Sequence, residues 1–153
     1  MKDLIQLIIR EVRAGESPEF QQTLLRAALL FEKFYRSGGW RGIEMEVDDA
    51  EVSEELIREL RESLITFAKG NREHPDTGSA LYALSKCWGC PLRDFFLTEM
   101  RIHLDAGRLF PLSQAEAALF HFGGCTSYNY PPGETGHDGY LDACRKFLDK
   151  NLR

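Results

Sequence analysis

Apolar positions recur along most of this chain with the period of an α-helix, and they predict seven helices with little or no strand. The pattern is densest between Thr77 and Gly124. Three short helical stretches follow one another there, punctuated by Trp88-Gly89-Cys90-Pro91 and by Gly107-Arg108-Leu109-Phe110-Pro111. The first carries Ala80, Leu81, Ala83 and Leu84. The second carries Leu92, Phe95, Phe96, Met100, Ile102 and Leu104. The third carries Ala115, Ala117, Ala118, Leu119 and Phe122, and its start reads as a capping box, Ser113-Gln114-Ala115-Glu116. No such helix buries an apolar face alone, so these three must pack on one another and on their neighbours.

The flanking segments follow the same logic. Residues 2–13 place Leu4, Ile5, Ile8 and Val12 on one stripe, widened by Leu7 and Ile9, and Gly15 ends the helix. Ser17 suits an N-cap and Pro18 a first helical position, which predicts a second helix over 18–37. Its inward residues are Phe20, Leu24, Leu25, Ala28, Phe31, Phe34 and Tyr35. Asp49 or Ser53 caps a third helix that runs to Lys69 or Gly70, with Leu56, Leu60, Leu64 and Phe67 as its stripe and Ile57 and Ile65 beside it. A last helix spans about 138–152, with Tyr140, Leu141, Cys144, Phe147 and Leu148 inward. Two segments break the rhythm. Ile43, Met45 and Val47 alternate with Glu44 and Glu46, which reads as an extended connector, with an edge hairpin as the alternative. Residues 123–139 hold five glycines and two prolines in the longest loop, a length that in compact domains often accompanies function.

At 153 residues the chain suits one α-helical domain with a core of its own. No apolar run approaches the length of a membrane span, and the first helix, interrupted by Asp3 and Glu11, reads as amphipathic and not as a secretion signal. A cytoplasmic location is the resulting expectation. The net charge of −5 argues against nucleic acid as a partner.

That charge is concentrated. Glu44, Glu46, Asp48, Asp49, Glu51, Glu54, Glu55, Glu59 and Glu62 face only Arg58 and Arg61, so this segment carries −7 and the rest of the chain +2. Local charge makes a directed field that suits a basic protein partner, while acids ahead of and within a first helical turn also stabilise the helix in its own right. Glu46, Asp48, Asp49, Glu51, Glu54 and Glu55 are therefore candidate partner-binding residues, with Trp40, Tyr128 and Tyr130 as aromatic anchors.

Cysteine chemistry offers a second possibility. Cys87 and Cys90 have the spacing of a redox pair or of half a zinc site, and His121 and Cys125 could complete four ligands. Two small thiols at a helix–helix turn are the simpler reading. His74, His103, His121 and His137 are scattered and match no catalytic signature, and no glycine-rich phosphate loop is present, so neither an enzyme nor a cofactor is expected.

Internal similarity completes the picture. Arg26-Ala-Ala-Leu-Leu-Phe, Ser79-Ala-Leu-Tyr-Ala-Leu and Glu116-Ala-Ala-Leu-Phe place Ala-Leu pairs at comparable points of three helices. Between Leu56 and Phe122 the chain resembles the paired helices of HEAT-type repeats, which implies an all-α stack of antiparallel helix pairs, with a plain irregular bundle of about seven helices as the alternative. In size, acidity and this middle section it also resembles small helical bacterial immunity proteins. That resemblance implies an inhibitor of a toxin, plausibly a nuclease, acting by direct contact. A helical scaffold or adaptor, or a protein using the Cys87–Cys90 pair, are the alternatives.

Overall fold

A computed structural model of the chain describes residues 2–36, 54–119, 122 and 137–151. The fold is all-α. Among the described residues there are seven helices and no strand: α1 (Lys2–Ala14), α2 (Phe20–Arg36), α3 (Glu54–Gly70), α4 (Thr77–Leu84), α5 (Arg93–Ala106), α6 (Leu109–Leu119) and α7 (His137–Asn151). Contacts gather into two compact units, Met1–Gly89 and Cys90–Arg153.

In the first unit α1 packs on α2 and α3, and α4 packs on the same two helices. Ile5, Ile8, Ile9 and Val12 make the inner face of α1. Leu7, expected to widen that face, lies across the helix and is 42% exposed. Gly15 stops α1 in the left-handed region, φ +72°, and its amide donates to the Glu11 and Val12 carbonyls at 3.0 and 3.1 Å. Helix α2 begins at Phe20, two residues beyond the expected start. The Ser17 hydroxyl caps nothing and makes no hydrogen bond. Thr23 instead ties the entry together, its hydroxyl donating to Glu11 Oε2 at 2.5 Å and lying 3.2 Å from the Glu19 carbonyl.

Phe20, Leu24, Ala27, Ala28, Leu30, Phe31 and Phe34 of α2 are buried, whereas Leu25 is exposed and not inward as expected. On α3 the buried row is Ile57, Leu60, Leu64, Phe67 and Ala68, so the stripe centres on Ile57, with Leu56 half-buried at its edge. Phe20, Phe67 and His74 meet edge to face, with centroids 5.2–5.5 Å apart, which makes His74 a packing residue. Helix α4 is buried on every side except at Tyr82, and the small Ala80 and Ala83 allow its neighbours to approach closely.

In the second unit α5 packs mainly on α6 and also on α7. Phe96, Leu97, Met100 and Leu104 of α5 are buried, as are Leu112, Ala115, Ala118 and Leu119 of α6 and Cys144 and Leu148 of α7. Ala117 is exposed, contrary to expectation. Helix α6 starts at Leu109, four residues before the expected capping box. A proline in a first helical turn loses no hydrogen bond, so Pro111 does not delay the helix. Ser113 then lies inside it, and its hydroxyl donates back to the Phe110 carbonyl at 2.8 Å. Phe122 meets Phe96 at 5.2 Å.

Candidate functional site

The described part of the acidic segment is the outer face of α3. Glu54 and Glu55 stand exposed in its first turn, where the helix dipole favours negative charge. Glu59 and Glu62 continue the exposed face one and two turns on. The basic residues among them are partly engaged. Arg13 of α1 reaches Glu59 at 2.9 Å. Arg61, its side chain only 17% exposed, donates to the Tyr35 hydroxyl at 2.8 Å and stands 3.8 Å from Glu62. A cleft of about 300 Å³ opens beside this face, lined by Phe34, Tyr35, Glu54, Arg58 and Arg61. One carboxylate, two guanidinium groups and two aromatic rings thus line the cleft, an arrangement suited to polar side chains of a partner. Glu46, Asp48, Asp49, Glu51, Trp40, Tyr128 and Tyr130 lie outside the described residues.

The cysteine candidates divide. Cys87 is fully buried and Cys90 half-buried, neither in a disulfide, and Gly89 between them adopts φ +84°. They fall on either side of the division between the two units. His121 and Cys125 lie outside the described residues. Among the described residues no three His, Cys, Asp or Glu side chains are placed to hold a metal ion. The thiol of Cys144 is pushed up to about 11, first by burial and then by the charge of Glu116, against a hydrogen bond with Tyr140 and the charge of Arg145. A thiol held protonated in this way is a poor nucleophile.

One cluster is not anticipated by the candidate list. Glu99 and His103, four residues apart on α5, are both 0% exposed, with His103 Nε2 3.6 Å from Glu99 Oε2. Arg108 donates from Nε to His103 Nδ1 at 3.0 Å, and from its backbone amide to the His103 carbonyl at 3.0 Å. Gly107, at φ +72°, makes the intervening turn and donates to the Leu104 carbonyl at 3.1 Å. The sequence signal was available: positions 99 and 103 share the helix face of Phe96 and Met100. A carboxylate and an imidazole in that register belong inside.

No helix among the described residues is long and apolar enough to cross a membrane. Comparison with models of protein families, with curated proteins and with solved structures finds no match to this chain.

Proposed function

We propose that this chain is an inhibitor of the immunity-protein type, which occludes a basic protein toxin, such as a nuclease, by direct contact. The concentration of charge carries the reading: nine carboxylates against two arginines between Glu44 and Glu62, in a chain otherwise close to neutral. Its described end, Glu54, Glu55, Glu59 and Glu62, is turned to solvent on one helix. A field of this kind steers a basic partner onto the surface and accelerates its association. Glu46, Asp48, Asp49, Glu51, Glu54 and Glu55 do the steering, and Trp40, Tyr128 and Tyr130 supply buried aromatic contact once docked. Inhibition needs no chemistry from the inhibitor, because covering a basic active-site groove excludes its substrate.

The test is affinity capture with the native chain and with a variant in which Asp48, Asp49, Glu51 and Glu54 are changed to Lys. One basic protein retained by the native chain, lost by the variant and inhibited by the native chain in its own activity supports the reading. Equal capture by both proteins contradicts it.

A further inference from the structure

Arg108 is the only group of the buried cluster that can leave it. It is half-buried at the corner between α5 and α6, whereas Glu99 and His103 are sealed inside. A guanidinium can only donate, so its bond to His103 Nδ1 requires a lone pair there. The imidazole is therefore neutral, with its proton on Nε2, the nitrogen facing Glu99 at 3.6 Å. A second proton can arrive only at Nδ1. It converts the acceptor of Arg108 into a donor and sets two cations against each other, while Nε2 keeps its carboxylate neighbour.

We propose that His103 and Arg108 form an acid-released latch on the α5–α6 corner. At neutral pH Arg108 grips His103 twice, by its side chain at the ring and by its amide at the carbonyl. Protonation of the ring ends the first grip, Arg108 turns to solvent, and the imidazolium pairs with Glu99. The backbone turn through Gly107 and Arg108 then loses its side-chain support. Among the described residues, α6 and α7 bring these other titratable groups toward α5. Glu116, the only titratable side chain on α6, is buried and lies near Cys144 of α7. From α7, Tyr140 is bonded to that same thiol, and Asp149 pairs with Arg101 at 3.2 Å on the exposed edge.

The experiment follows the full-length chain by NMR from pH 8 to pH 5. The ring nitrogen signals of His103 report where its protons sit, which separates its titration from that of Glu99 or Glu116. Amide exchange at Gly107 and Arg108, corrected for the intrinsic pH effect, reports the turn. The expected result is a ring proton on Nε2 at pH 8, uptake at Nδ1 on acidification, and up to about tenfold faster exchange at the turn over the same interval, the ratio set by one lost hydrogen bond. In Arg108→Met the turn exchanges fast at pH 8 and does not respond further to acid. A ring proton on Nδ1 at pH 8, a ring that stays neutral to pH 5, or a protonated ring with an unchanged turn overturns the latch. The native chain alone decides the matter if the variant fails to fold.

Discussion

The two compact units handle buried polar groups in opposite ways. In the first unit the buried polar side chains are hydroxyls: Thr23, Ser63, Thr77, Ser79 and Ser85. Thr23 reaches from α2 to Glu11 of α1, while others bond to a nearby carbonyl of the same unit, Ser63 to Glu59, Ser85 to Tyr82 and Thr77 to Asn71. The local bonds among these satisfy a hydroxyl without help from another helix. The charged residues of this unit stay outside or at its edge, on α3 above all. The second unit instead buries Glu99, His103 and Glu116. Ionisable groups away from water cost several kcal/mol each unless partners hold them, so this unit depends on its cluster being complete. The charges of the first unit stand at its surface, whereas the second unit also commits charge to its interior.

The sharpest way to break this contrast is to remove one half of the buried pair. Glu99→Ala is expected to cost about 2–5 kcal/mol in urea unfolding, because it opens a cavity at a fully buried position and takes the carboxylate from beside the buried Nε2 of His103. Glu99→Leu combined with His103→Leu should cost less than Glu99→Ala alone. The reverse order would mean that the pair itself stabilises the fold. Ordinary core truncations sit alongside. Leu84→Ala in the first unit and Phe96→Ala in the second, both fully buried, should each cost about 2–5 kcal/mol. A loss below about half a kcal/mol at both sites would remove residues 77–124 from the core.

Gly107→Ala places a side chain at φ +72° and should cost about 1–2 kcal/mol, read as a shift in urea midpoint. Nothing lies within 4 Å of a Cβ added there, so the cost is conformational and not steric. The thiol of Cys144 gives a pH signature of the second unit. Its folded value lies near 11 against an ordinary 9.0, so the folded chain holds a proton that the unfolded chain releases. The stability linked to it is complete below pH 9 and is lost as pH rises towards about 11. Urea midpoints at pH 8.5 and 10.5 should differ more in the native chain than in Cys144→Ala. The smallest effect belongs to the first unit: Ser63→Ala removes only a bond to its own helix and should change stability by less than about 1 kcal/mol.

Much of the helical layout is readable in the residues because the apolar spacing is regular. Ile5, Ile8 and Val12, then Leu60, Leu64 and Phe67, then Ala80, Leu81, Ala83 and Leu84 fall where their periodicity puts them. The failures share one cause. On helices with apolar residues around most of the circumference, periodicity does not say which one is left outside, so Leu7 and Leu25 are exposed and Leu97 and Leu112 are buried. The start of α6 escapes because a serine three residues before a glutamate imitates a cap, while Pro111 sits harmlessly in the first turn. Glu99 and His103 escape because residue type argues for the surface and only their register argues for the interior. The acidic segment is legible because its carboxylates cluster along the sequence, and on α3 Glu54 and Glu55 are exposed. The geometry of its remainder, and of Tyr128 and Tyr130, lies outside the described residues.

The central claim is that the acidic surface recruits a basic partner by its field. The most direct test is the association rate of the captured partner measured across a salt series. The native chain should associate fast at low salt and slow steeply as salt rises, since screening shortens the reach of the field to about 8 Å at physiological ionic strength. The variant with Asp48, Asp49, Glu51 and Glu54 changed to Lys should associate slowly at low salt, without that steep decline, and retain its helical content. Equal rates and equal salt slopes for the two proteins would contradict the account and leave the carboxylates as solvated surface.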